Sequence, residues 1–153
     1  MTDPSRSLSV RAVWGGGYRC EVAARHHRIL VDEPATAQGT DTGSTPTELF
    51  LASLGSCFAL AIHHVATKRG IDIRGIEIEA TGTYEGPSFS ALALDVAIDA
   101  ELDEDRIAGL IERAKAVCYI SNTLARPPPV TVRQAKGDQA LSDDHDDTPG
   151  PAP

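Results

Sequence analysis

At 153 residues, with 41% hydrophobic and 5% aromatic content, the chain suits one soluble domain built on an aliphatic core. Its formal charge of −8 is concentrated in residues 137–153, where five aspartates meet no Lys or Arg, so residues 1–136 carry only −3. No basic patch indicates a nucleic-acid partner, and the interrupted apolar run around Phe50–Ile62 is expected to be too short and too polar to span a membrane.

Leu8–Trp14 alternates loosely and reads as a strand, broken by Gly15-Gly16-Gly17. Tyr18–Ala24 and His27–Asp32 read as second and third strands around an Arg25-His26 turn. Trp14, the only tryptophan, is expected to anchor the first strand to the core, and Cys20 to pack within the second. Residues 33–45 form an irregular loop rich in Gly, Thr, Ala and Asp. Thr45-Pro46 then marks a helix start, a hydroxyl cap followed by a proline whose missing N–H is harmless at the first helical position. That helix should run to about Arg69 and stop at Gly70. Leu49, Phe50, Leu51, Leu54, Phe58, Leu60, Ile62 and Val65 cover nearly its whole circumference, which predicts a central helix buried on most sides.

In Arg74–Tyr84, Ile76, Ile78 and Ala80 alternate with Glu77, Glu79 and Thr81, a strand with one wet face. Gly86-Pro87-Ser88 turns the chain into Phe89–Ala100, where Leu92, Leu94, Val96 and Ile98 alternate again, completing a long hairpin. Asp103-Glu104-Asp105 opens an amphipathic helix with acids at its positive end, and Cys118 falls in phase with its core side. Pro127-Pro128-Pro129 precedes a last short strand, Val130–Arg133. Residues 1–136 therefore read as one α+β domain with antiparallel sheets against helices, and 137–153 as an acidic, Pro/Gly-containing disordered tail.

No apolar signal stretch follows Met1–Arg6, so a cytoplasmic location is expected, where the three cysteines start as free thiols. They form no Cys-x-x-Cys pair, which argues against structural zinc. Cys57 and Cys118, about sixty residues apart, lie within an apolar helix and at the end of one. Buried cysteine is most often a small core residue, yet Ser53 and Ser56 precede the first and Ser121 and Asn122 follow the second. A hydrolase using a local histidine is disfavoured, because His64 lies on the order of 10 Å along the helix axis from Cys57, beyond hydrogen-bond reach. A metal site on His63 and His64 is weaker still, since adjacent helical side chains diverge by about 100°. His26-His27 reads as a solvated turn.

Thr45-Pro46-Thr47-Glu48-Leu49-Phe50, with Cys57 eleven residues after the proline, resembles the first motif of the OsmC/Ohr family of osmotically inducible and organic hydroperoxide resistance proteins. Cys118-Tyr119-Ile120-Ser121-Asn122-Thr123-Leu124 is similar to the second. The resemblance spans roughly residues 8–135 and implies an OsmC-like two-layer fold, with antiparallel sheets on a central buried helix, in an intertwined homodimer. It further implies a thiol-dependent peroxidase for organic hydroperoxides, with Cys57 peroxidatic and Cys118 resolving, no metal, flavin or haem, and an external dithiol, in some members a lipoyl-bearing protein, as reductant. Family peroxidases place an Arg directly after the Gly-Gly of the first turn and a Glu directly after the Pro. Here Gly17 and Thr47 hold those places, so Arg19 and Glu48 stand as the displaced candidates for activating the thiolate. That glutamate placement looks more like the broader OsmC-like branch, for which a non-enzymatic, redox-responsive or apolar-ligand-binding dimer is the alternative expectation.

Overall fold

The computed structural model describes residues 7–135, which divide into two compact units: residues 7–43 with 129–135, and residues 44–128. In the first unit, β1 (Arg11–Gly16), β2 (Arg19–Ala24) and β3 (His27–Val31) form an antiparallel meander in that order. Gly16 (φ 101°) and Gly17 (φ 55°) make the first reversal in a backbone region that side chains disfavour. Trp14 does not anchor a core as expected. It is 70% exposed, and its indole Nε1–H donates to Gly17 O at 2.9 Å, tying it to the turn instead. Cys20 is half-buried, opposite Trp14 on one side and Val31 on the other.

The loop after β3 is organised by one buried carboxylate. Asp32 accepts the Glu33 N–H at 2.8 Å, the Thr40 N–H and hydroxyl at 3.2 and 2.5 Å, and the Thr42 N–H and hydroxyl at 3.1 and 2.8 Å. The Thr40 hydroxyl is the chief influence holding Asp32 well below the usual carboxylate range; burial opposes it, and the Thr42 and Glu33 donors add to it. Gly39 sits so close to this loop's backbone that a Cβ there would lie 1.8 Å from Glu33 O.

In the second unit, α1 (Pro46–Lys68) begins in a capping box: Glu48 N–H donates to Thr45 Oγ1 at 3.2 Å, and Thr45 N–H donates to Glu48 Oε2 at 2.8 Å. Gly70, at φ 64°, follows its last turn. β4 (Gly75–Glu85) and β5 (Ser88–Asp99) pair as the expected hairpin, with Ile76 opposite Ile98, Ile78 opposite Val96 and Ala80 opposite Leu94. The apolar face of that ladder packs on α1. Gly55 lies at this contact, where a Cβ would stand at ordinary van der Waals distance, 3.6 Å, from the Ala80 side chain. α2 (Glu104–Val117) starts on Asp103, whose carboxylate accepts the Arg106 N–H at 2.8 Å, and lays Leu110 and Ala114 against α1.

Besides Trp14, four expectations are corrected by the structure. α1 is not buried all round: its buried residues are Leu54, Gly55, Phe58, Ala61, Ile62, Val65 and Ala66, one stripe, while Leu60 is 68% exposed. The apolar run is not too short for a bilayer, because its helix continues for 23 residues and by length and composition could cross one; its contacts with β4, α2 and α3 are those of a core helix. A third helix, α3 (Tyr119–Ala125), follows Cys118 where no element was expected. Val130–Arg133 is not a strand: alternation alone makes no sheet without a ladder partner, and Val130 and Val132 are exposed. The expected acidic tail, 137–153, lies outside the described residues.

Candidate active site

The junction of α2 and α3 is a single residue. Cys118 is in an extended conformation (φ −73°, ψ 112°), so it ends one helix and caps the next. Its N–H donates to Ala114 O, its carbonyl accepts the Asn122 N–H, and the Asn122 side-chain amide donates back to Ala116 O at 3.1 Å. These bonds fix the corner and turn the Cys118 side chain into the core, where it has no exposed surface.

Across from that corner, the middle of α1 brings up Cys57. The two Sγ atoms are 3.5 Å apart, within S–H···S hydrogen-bonding distance. Cys57 remains half-buried and borders an open cleft of about 600 Å³, lined also by Leu60, Ala61, His64, Val117 and Tyr119. Ser121, one turn into α3, donates its hydroxyl to Cys118 Sγ at 3.2 Å. Burial pushes the Cys118 thiol up, but the Ser121 hydroxyl, the Ser121 N–H, Cys57 and the Ile120 N–H favour the thiolate and prevail, so its pKa is lowered. Ser56, beside Cys57 in sequence, is engaged elsewhere: its hydroxyl donates to Ala52 O at 2.6 Å.

The other two candidates have roles or places of their own. Glu48 serves the helix cap and borders a different hollow, with Leu51, Ala52, Gly55, Ser56, Ile78 and Ala80. Arg19 is in β2 of the first unit, opposite Gly16. His64 lines the same cleft as Cys57, whereas the side chain of His63 lies beside Thr67. Among the described residues, no group of three or more His, Cys, Asp or Glu side chains is placed to hold a metal ion. Ser121 was visible in sequence only as part of a motif; the signal that could have assigned it is its position three residues after Cys118, one helical turn away. Asp32 was not singled out, although an acid followed by Thr40 and Thr42 in a glycine-bearing loop is the pattern of a carboxylate clasp.

Such an arrangement can do dithiol chemistry: two sulfurs in contact, one reachable and one enclosed, need to close by only about 1.5 Å to reach disulfide length. Comparison with known proteins gives the setting. Residues 39–133 match the family described as OsmC-like protein. An uncharacterised protein of Haloferax volcanii is 27% identical over 86 residues, a match covering 55% of this chain and 65% of that relative, just under two thirds of its length. Among solved structures, the OsmC-like protein of Mycoplasma pneumoniae superposes with a TM-score of 0.68 at 20% identity, over 80% of this chain and 90% of that one. The organic hydroperoxide resistance protein of Bacillus subtilis superposes with a TM-score of 0.58 at 22% identity, over 80% and 93%. At these identities the likeness is one of fold.

Proposed function

The chain belongs to the OsmC-like protein family, and on that premise we propose that it is a thiol-dependent peroxidase that reduces organic hydroperoxides in oxidative stress defence. The observation that carries the reading is the 3.5 Å separation of Cys57 and Cys118 beside an open cleft with an apolar lining. The Cys57 thiolate attacks the terminal oxygen of the hydroperoxide; the O–O bond breaks, the alkoxide takes up a proton and leaves as the alcohol, and Cys57 becomes a sulfenic acid. Cys118 then attacks Cys57 Sγ, the disulfide forms and water departs. An external dithiol returns both sulfurs to thiols. Leu60, Ala61, Val117 and Tyr119 give the cleft a preference for an alkyl or aryl hydroperoxide over hydrogen peroxide.

Arg19 enters the proposal as the cation available to favour the Cys57 thiolate, with Glu48 as its candidate partner. The working form is a homodimer, a reading supported by the exposed apolar residues Leu60, Val117 and Tyr119 around the cleft. The same apolar lining favours a second reading, a dimer that binds an apolar ligand without turning it over. Alkylation separates the two: a Cys57 that reacts with iodoacetamide only at or above the pH of a free thiol speaks for binding.

The direct test is titration of the reduced protein with cumene hydroperoxide, followed by intact mass. One equivalent should remove two hydrogens and join Cys57 to Cys118, and Cys57→Ser should not react. A protein that keeps both thiols under excess hydroperoxide would overturn the reading.

A further inference from the structure

The two sulfurs are unequal, and if they form the redox couple proposed above, the inequality gives the reductive half of the cycle a direction. Cys57 borders the cleft, whereas Cys118 has no exposed surface and a thiol arriving from solvent cannot reach it. Cys118 also receives the Ser121 hydroxyl at 3.2 Å, from the first turn of α3, the helix that Cys118 itself begins. Thiol–disulfide exchange is fastest when the attacked sulfur is accessible and the other leaves as a stabilised thiolate.

We propose that an external dithiol opens the Cys57–Cys118 disulfide by attacking Cys57 from the cleft, and that Ser121 is the positioning residue that receives Cys118 as the departing thiolate. A bond forms between the reductant's sulfur and Cys57 Sγ; the Cys57–Cys118 bond breaks, and its electron pair passes to Cys118 Sγ, which lies against the Ser121 O–H. The reductant's second thiolate then attacks its own sulfur in the mixed disulfide, closing the reductant's disulfide and releasing Cys57 as a thiolate. Two electrons pass from dithiol to protein, and two protons follow to restore the thiols.

The test begins from a Cys20→Ser protein whose remaining pair has been oxidised with diamide, which needs no peroxidase activity. Brief exposure to 2-mercaptoethanol, acid quench and peptide mapping should find the mixed disulfide on Cys57; finding it on Cys118 would overturn the direction. Ser121→Ala should slow opening by dithiothreitol about tenfold, the loss expected for one hydrogen bond to a charged sulfur. In a Cys20→Ser, Cys57→Ser background, where Cys118 is the only thiol, Ser121→Ala should also move the ultraviolet thiolate titration up by about one pH unit. Ser121→Thr, which keeps a hydroxyl, should restore both values. Unchanged opening rate and titration in Ser121→Ala would remove Ser121 from the role, and the adduct map decides the direction even if that variant does not fold. A pair that diamide joins and hydroperoxide does not would refute the peroxidase reading alone, while a pair that diamide leaves as free thiols would refute both.

Discussion

Cys57 and Cys118 stand 61 residues apart in the chain, yet their sulfurs are in contact at 3.5 Å. Under the proposed cycle, Cys118→Ser should stop the reaction one step early. Cumene hydroperoxide should then leave Cys57 as a sulfenic acid that dimedone captures, and excess oxidant should carry it on to the sulfinic acid. Cys20→Ser should oxidise like the wild type, because the proposed cycle uses only the sulfurs of Cys57 and Cys118. Intact mass before and after dimedone reads every case.

Asp32 should make the protein's stability depend on acid. The fold lowers its pKa, so its contribution is complete above the unfolded value near 4 and is lost as pH falls toward the folded value. Asp32→Asn keeps the shape but turns an acceptor of five hydrogen bonds into a group with its own donors, and should melt at lower temperature at pH 7. The difference from wild type should hold down to about pH 5 and narrow below about pH 4. Thermal melts across that range measure it, and a difference that stays constant into strong acid would show that the charge is not the cause.

Glu48 has a defined partner in the Thr45 N–H, and that bond predicts what its loss does. Glu48→Ala should cost about 1 kcal/mol, as removal of half a capping box does. If Glu48 also partners Arg19 as proposed, Glu48→Ala should in addition slow iodoacetamide alkylation of Cys57 by more than about twofold, a change of about 0.4 kcal/mol. Arg19→Ala touches no cap, so any fall in Cys57 reactivity there would come without the stability loss. Denaturant melts and alkylation rates on the two variants separate capping from activation.

Gly82 in β4 faces the ring of Phe89, and a Cβ there would lie 2.6 Å from its Cε1. That ring also stacks on Phe50, with centroids 5.9 Å apart, and tilts against Tyr84 at 4.6 Å. Gly82→Ala must displace the ring from both neighbours and should cost about 1–3 kcal/mol. Urea midpoints would show the loss, and a neutral result would mean that the ring relaxes freely.

Elements fixed by local chemistry were legible in the sequence. The Ile–Glu alternation of β4 and the Thr45-Pro46-Thr47-Glu48 start of α1 carry their own stereochemistry and appear as expected. What failed depended on distant partners. Val130–Arg133 alternates like a strand but joins no ladder among the described residues, and Trp14 bonds to its own turn. α3 escaped because seven residues carry too little periodic signal, and because it begins only after Cys118 leaves helical geometry. At the site, both cysteines could be placed on their helices from sequence, but their separation could not, since contact between α1 and the α2–α3 corner is a property of packing. Ser121 stood in plain view, and its role depended on a side-chain direction that no spacing reveals.

The one-sided burial of α1 has a consequence for how the protein responds to dilution. Leu60 is 68% exposed on a helix whose other stripe packs within the chain, and the homodimer proposed above would cover it. If a twin chain supplies that cover, folding and association share one equilibrium, and the melting temperature should climb as the protein is concentrated.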